Sequence, residues 1–303
     1  MTFHETSYRK HSERKDELKD FNAWKQKDTV DYWRHKRMYD NLIPLIKSYP
    51  KSKWLTLGDG RFGTDANYLE SFGLDVLATD ISTENLNYAK EIGFIKACQT
   101  ENAEKLSFPD NAFDFVLCKE SYHHFPRPMV ALYEMIRVSK IGVVLIEPND
   151  YNISSSVSPR LLPSFSQLWQ SIKNEIKIAM GKKPYYHFGN YEESGNYVFS
   201  ISEREIEKVA LGIDLPTVIF RGQDDHYIEG VEEEKIAQQG PLYQKVKKNI
   251  DSSESKSRKG FKNFGLLVAG VFKDELSGDC QQSLLHAGFT VKNLPRNPFV
   301  KGH

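Results

Sequence analysis

Cysteine is scarce in this chain: Cys98, Cys118 and Cys280 are the only three in 303 residues, and no two form a C-x-x-C pair. That excludes a disulfide framework and a thiolate zinc site. Cys98 and Cys118 sit in apolar, strand-like runs, where a small thiol packs well, and the usage suits a reducing cytosol. Long hydrophobic runs are also missing. The longest purely apolar stretch lies near 264–272, far below the roughly 20 residues of a membrane span, and the first 20 residues are charged from the start. Neither a signal peptide nor a transmembrane helix is expected. Charge of one sign is absent too, since 41 Lys and Arg balance 41 Asp and Glu. No global field therefore favours nucleic acid or an anionic membrane. There is no internal repeat. The length admits one large domain, or a domain with a sizeable appendage, around a real core.

What the chain does have is an alternation of short apolar runs with helical stretches from residue 53 onward, the pattern of parallel strands joined by right-handed crossovers. Strands are read at 54–57, 75–79, 94–98, 113–118 and 142–146. Helices fall between them at 65–72, 83–92 and 128–138, with Ser82 or Thr83 available to cap the second. Ahead of this, residues 1–50 are polar. From Asp16 on they read as helix, with Phe21, Trp24, Tyr32, Trp33, Met38, Tyr39, Leu42 and Leu45 spaced by about three and four. A helical cap on the main domain is expected, closing over the binding edge.

The second half is less regular. Helix is read within 159–179, an aromatic, glycine-containing loop at 184–199, and a helix at 202–211 opened by Ser202 and Glu205 at capping-box spacing. Residues 215–220 and 264–272 read as strands six and seven. Between them, 245–262 carries seven Lys or Arg against Asp251 and Glu254, interleaved with serines; composition assigns this run to loop or disorder. It is a solvated face or an attractor of phosphorylated acceptors.

The most informative stretch is 54–80: an apolar run, the glycine turn Gly58, Gly60, Gly63, a helix-like segment, a second apolar run, and Asp80. Glycines let backbone N–H groups approach a ligand where a Cβ would clash, and an acid ending the next strand accepts hydrogen bonds from ribose hydroxyls. A Gly-rich turn with a ribose acid roughly 20 residues on serves NAD and S-adenosylmethionine (SAM) sites alike. In the expected sheet the binding loops, including 102–104, 119–124 and 147–150, converge at the carboxyl ends of the strands.

Strand, G-D-G-R-F-G, helix, strand, T-D, then N-A-E-K-L-S-F-P-D-N-A-F-D-F-V-L-C resembles the SAM-dependent methyltransferases of the class I, small-molecule type with a Rossmann-like fold. The resemblance covers 54–148 and continues more faintly to Phe272. It implies that Gly58, Gly60 and Gly63 pass beside the methionine part of SAM, that Asp80 holds both ribose hydroxyls, and that Asn102 and Ala103 lie at the adenine. Ile81, Glu104 and Lys119 join them in the expected cofactor-binding set. Two departures stand out. Thr56 occupies a place where many relatives carry an acid, and Phe62 stands where the third glycine is usual, with Gly63 one residue later. Asp59 either replaces the lost charge near the sulfonium or caps the following helix. A short-chain dehydrogenase would need a Tyr-x-x-x-Lys pair; Tyr243 and Lys247 fit the spacing but fall in the charged segment after strand five.

Lys119-Glu120-Ser121-Tyr122-His123-His124-Phe125 follows strand four, where the resemblance implies that methyl donor and acceptor meet. Methyl transfer to a hydroxyl needs alignment and removal of a proton, and an imidazole suits the second task. His123 and His124 are therefore the candidate catalytic residues, against a reading in which they pack or line the wall. Adjacent residues rarely both reach one ion, so no metal is expected. Glu147 and Asp150, flanking Pro148 and Asn149, either orient a polar acceptor or neutralise an amine, or the turn simply ends strand five. Tyr185, Tyr186, His187, Phe188, Tyr191 and Tyr197 read as an acceptor lid or as core, and Asp224, Asp225, His226 and Tyr227 as a further polar cluster near the rim.

The expected fold is α/β: a Rossmann-like, doubly wound, seven-stranded sheet with an antiparallel last strand, an N-terminal helical cap and an inserted lid region. The expected division is 1–50 cap, 51–150 SAM-binding core, 151–212 insertion shaping the acceptor pocket, and 213–303 C-terminal strands and tail. The expected function is SAM-dependent O-methyl transfer to a small molecule, a sugar or other secondary metabolite, in the cytoplasm, leaving S-adenosylhomocysteine. An NAD(P)-dependent oxidoreductase and a catalytically silent SAM-binding scaffold are the alternatives. A homo-oligomer is admitted; membrane and nucleic acid are not expected partners.

Overall fold

A computed structural model describes residues 3–12, 23–150 and 196–299. Strands β1 (Lys53–Leu57), β2 (Asp75–Asp80), β3 (Cys98–Thr100), β4 (Phe113–Lys119) and β5 (Ser139–Pro148) run parallel, in the order β3-β2-β1-β4-β5. The chain leaves β1 for β2 and β3 on one side and returns to β4 and β5 on the other. That puts the switch point between the carboxyl ends of β1 and β4, where such sheets bind ligands.

Both faces of the sheet are covered, so its strands are nearly continuous in apolar residues and alternate between two cores. Trp54, Phe115 and Leu117 face helices α2 (Val30–Tyr39), α3 (Ile43–Ser48), α4 (Thr64–Glu70), α5 (Glu84–Glu91) and α9 (Gly278–His286), with Trp54 stacked on Phe115 at 4.6 Å. Leu55, Leu57, Val116 and Cys118 face α6 (Pro128–Val138) and α7 (Glu203–Gly212) on the other side. Ser202 caps α7, its Oγ accepting from the Glu205 N–H at 3.2 Å. Replacing it with alanine is expected to cost about 1 kcal/mol, read as a lower urea midpoint at unchanged slope.

The sheet departs from expectation at its far end. β7 (Leu266–Phe272) lies antiparallel, as expected, between β5 and β6 (Thr217–Gln223), but β8 (Thr290–Asn293) adds an antiparallel edge beside β6, making eight strands rather than seven. Four residues with half-exposed side chains leave β8 little apolar signal. The third strand begins at Cys98, where 94–98 was expected, because Phe94 and Ile95 turn into the core beneath α4 and α5. Thr83 precedes α5 without a side-chain capping bond.

The basic run is the largest correction. Residues 241–258 form one helix, α8 (Pro241–Arg258), opened by Pro241 and seated through Val246 and Ile250 on Val30 and Val231. Counting charge hid that four-residue spacing, and Lys247–Asp251 and Glu254–Arg258 pair at the same spacing on its surface. Of the N-terminal segment, α1 (Phe3–Ser12) and the stretch from residue 23 are described. The expected helices in 159–179 and the aromatic residues Tyr185, Tyr186, His187, Phe188 and Tyr191 lie outside the described residues. Among the described residues, no helix is long and apolar enough to cross a membrane.

Candidate functional site

Two cavities meet at the carboxyl ends of β1 and β4. The first, about 330 Å³, is walled by Gly58, Gly60, Asp80, Ile81, Asn102 and Ala103, with Tyr8 and His11 of α1 and Trp24 across from them. The second, about 350 Å³, is walled by charged side chains: Asp31, Arg34 and His35 of α2, Arg61, Lys119 and Glu120, with His123, Tyr227 and Glu232. Gly58, Arg61, Glu120, Ser121 and His124 border both.

The first cavity owes its shape to two glycines. At Gly58 the backbone is left-handed (φ 74°) and a Cβ would lie 2.4 Å from that of Ser121, whose Oγ donates to the Gly58 carbonyl at 2.6 Å. At Gly60 a Cβ would lie 2.7 Å from Asp80 Oδ2, which accepts the Gly60 N–H at 3.0 Å. The other Asp80 oxygen accepts from the Ser82 N–H at 2.8 Å, fixing the carboxylate in the wall. Burial holds the Asp80 carboxyl above the usual aspartate range, against the opposing pull of those N–H groups.

Four of the residues expected at the cofactor point elsewhere. Asp59 is buried and accepts from Thr56 Oγ1 (2.9 Å) and from the N–H groups of Asp65 (3.1 Å) and Ala66 (2.9 Å). It caps the first turn of α4, the second of its two expected roles, and Thr56 supports it. Burial and the neighbouring Asp65 carboxylate hold its carboxyl well above the usual range. Gly63 borders neither cavity. It is left-handed at the start of α4, where a Cβ would meet Ile95 Cγ2 at 2.8 Å. Phe62 before it is also left-handed (φ 63°) and fully buried, its ring 5.2 Å from that of Phe94. Such a backbone costs about 1–3 kcal/mol, and burying the ring offsets a similar amount. Glu104 turns from the cavity to Arg127, accepting from its backbone N–H at 2.7 Å and its Nε at 2.5 Å. Lys119 lines the second cavity instead of the first.

Asn102 and Ala103 do border the first cavity, with Asn102 Oδ1 accepting from the Glu104 N–H at 2.9 Å. Gly58, Gly60, Asp80 and Ile81 border it as well.

In the second cavity Asp31, Arg34, Arg61, Asp65, Lys119 and Glu120 each have a counter-charge. Lys119 Nζ lies 3.0 Å from Glu120 and 3.7 Å from Asp65, above the Tyr39 ring. Burial would lower its pKa, but Tyr39, Glu120 and Asp65 outweigh that and hold it well above the ordinary lysine value. Glu120 has a left-handed backbone (φ 51°), and Lys119 and His35 overcome its burial to hold it well below the usual carboxylate range. Asp31 joins Arg34 to Arg61, and Arg34 continues to Asp225. Burial, then Lys119, holds His35 below the usual imidazole value. Tyr227 lies against Arg34, whereas Asp224 serves structure, binding the Gly265 N–H, Ser257 and Lys262.

His123 and His124 occupy the short turn Tyr122–His124 after β4, their rings 4.0 Å apart. His123 Nδ1 is 2.6 Å from Glu147 Oε2. Glu147, fully buried near the end of β5, also accepts the N–H groups of Ser121 and Tyr122, each at 2.9 Å. Asp150 lies in a separate groove with Tyr133, Glu205 and Lys208.

Sequence reasoning passed over Arg61, Ser121, the α2 triplet and α1. Asp31, Arg34 and His35 fall at i, i+3 and i+4, one helical face, a polar signal hidden beside the aromatic one.

Residues 55–146, from β1 through most of β5, match the family model described as a methyltransferase domain. The chain is 30% identical over 123 residues to a demethylmenaquinone methyltransferase of Renibacterium salmoninarum, covering 39% of this chain and 50% of that protein. Over 100 residues it is 30% identical to a 2-methyl-6-phytyl-1,4-hydroquinone methyltransferase of Synechocystis sp., covering 32% and 31%. It thus spans half the length, or less, of these curated relatives. Among solved structures, a SAM-dependent methyltransferase from Methanosarcina mazei superposes with a TM-score of 0.44 at 18% identity, covering 76% of this chain and 97% of that one. With its sheet order, glycine turn and family match, the chain carries a methyltransferase domain in the Rossmann-like fold of the class I SAM-dependent methyltransferases.

Proposed function

We propose that the chain transfers a methyl group from SAM to a hydroxyl oxygen of a small, polar acceptor, of which a sugar is the leading candidate. The observation that carries this reading is the meeting of the two cavities at Gly58, Ser121 and His124. One is built like a nucleoside site and the other like a site for a hydrogen-bonding partner. The first fits the cofactor: Gly58 and Gly60 leave backbone where a Cβ would intrude, Asp80 offers a fixed carboxylate, and Ala103 keeps the wall near Asn102 low. When bound, SAM supplies a methyl group on a positively charged sulfur. Asp80 holds the ribose hydroxyls, Ile81, Asn102 and Ala103 border the adenine end, and His124 with Phe125 screens the junction from water. His123 or His124 takes the acceptor's proton.

The named acceptors of the two relatives include a phytyl-bearing hydroquinone. In this chain the paired charges of the second cavity suit a hydroxylated molecule better than a hydrocarbon tail. The Tyr243 and Lys247 pair that the oxidoreductase alternative would use lies on α8 and borders neither cavity.

Incubation with methyl-labelled SAM, a panel of methyl glycosides and a phytyl hydroquinone, read by mass spectrometry, tests the reading. Label on a glycoside oxygen is the expected result. Label confined to a ring carbon of the hydroquinone contradicts it.

A further inference from the structure

We infer that Glu147 positions His123 as the base of the reaction, a refinement that rests on the SAM reading above. A carboxylate is stable in a fully buried place only when it is hydrogen-bonded and paired. Glu147 meets that condition through the N–H groups of Ser121 and Tyr122 and the His123 ring, its one side-chain hydrogen-bond partner among the described residues. The sheet register explains its position. Lys119, the last residue of β4, pairs with Ile146, so Glu147 falls one step beyond β4 and directly under the turn that carries both histidines.

The 2.6 Å contact fixes the ring chemically. A carboxylate accepts, so the neutral imidazole keeps its proton on Nδ1 and Nε2 becomes the basic nitrogen. His123 borders the second cavity, beside the junction with the first. The acceptor oxygen's lone pair forms the new O–C bond as the C–S pair returns to sulfur, and the hydroxyl proton passes to His123 Nε2. Glu147 stabilises the resulting imidazolium, a positioning role.

Among the described residues, the groups that bear on this titration are Glu147 beneath the ring, His124 beside it and the Lys119–Glu120 pair at the end of β4. Across the cavity stand Asp31, Arg34 and His35 of α2, Arg61 and Asp65 near the start of α4, and Glu232 with Tyr227. Removing only the Glu147 charge leaves the others in place.

The test is NMR of the full chain with 15N-labelled histidine, titrated in complex with S-adenosylhomocysteine and with sinefungin, whose ammonium replaces the sulfonium charge. In the wild-type protein His123 is expected as the Nδ1–H tautomer. Its midpoint should be about one pH unit lower with sinefungin than with S-adenosylhomocysteine, as a unit charge within about 7 Å demands. In Glu147→Gln the proton moves to Nε2 and the midpoint falls further, with S-adenosylhomocysteine affinity unchanged. An Nε2–H tautomer in the wild type, or equal midpoints with the two ligands, overturns the assignment, and the ligand comparison needs no substitution. Binding of neither ligand would instead defeat the SAM reading, and this assignment with it.

Discussion

Asp80→Ala is expected to weaken S-adenosylhomocysteine binding about 100-fold. An ionised carboxylate has about four acceptor sites. The Gly60 and Ser82 N–H groups take one on each oxygen of Asp80, and the carboxylate borders the first cavity with the remainder. Two ribose hydroxyls donating there make two charge-assisted bonds. At about 1.5 kcal/mol each, their loss totals about 3 kcal/mol, a factor of roughly 100. Alanine also releases Gly60, whose N–H then loses the partner that shapes the turn. The pH dependence has a definite sign. Because burial holds the Asp80 carboxyl above the usual range, it takes up a proton at higher pH than an ordinary aspartate. Wild-type affinity should therefore fall on mild acidification, and the alanine variant should lose that slope. Calorimetry across pH reads both.

Lys119→Ala is expected to cost about 3–5 kcal/mol of folding stability, the usual penalty for breaking a buried ion pair from one side. The lysine side chain is 4% exposed and that of Asp65 5%, so little water reaches either to replace the lost partner. Glu120, more open, loses its 3.0 Å contact and part of what holds it ionised. The sign also fixes the pH window. A lysine whose folded pKa is raised contributes fully below its unfolded value and loses that contribution only as pH rises through the folded one. The deficit should therefore be complete at neutral pH. Urea unfolding of the variant beside wild type measures it.

In the parallel half, β1, β4 and β5 were legible because they are buried on both faces and each crossover carries a helical period, whereas β3 is a largely exposed three-residue edge. Residues 54–57, 113–118 and 128–138 fall within a residue of the observed elements at every end. On the far side β6 and the antiparallel β7 were legible too, but β8 and α8 were not. β8 is a four-residue edge with little to bury, and α8 looked like a charged loop because its apolar contact rests on Val246 and Ile250 within a run of lysines. At the site, glycines and Asp80 declare themselves because their chemistry is local. Direction is not local: the sequence puts Asp59, Glu104 and Lys119 beside the cavity, and tertiary partners at the head of α4, at Arg127 and at Asp65 turn them away. The second cavity was hidden for the same reason, since it joins residues 31–35 to 119–123 and 227–232, which only the fold brings together.

The most direct test of the account is calorimetric titration of the wild-type chain with S-adenosylhomocysteine, with NADH run alongside. Micromolar S-adenosylhomocysteine binding without NADH binding is the predicted result. NADH binding in its place, or heat from neither ligand, would contradict the claim that the first cavity is a SAM site.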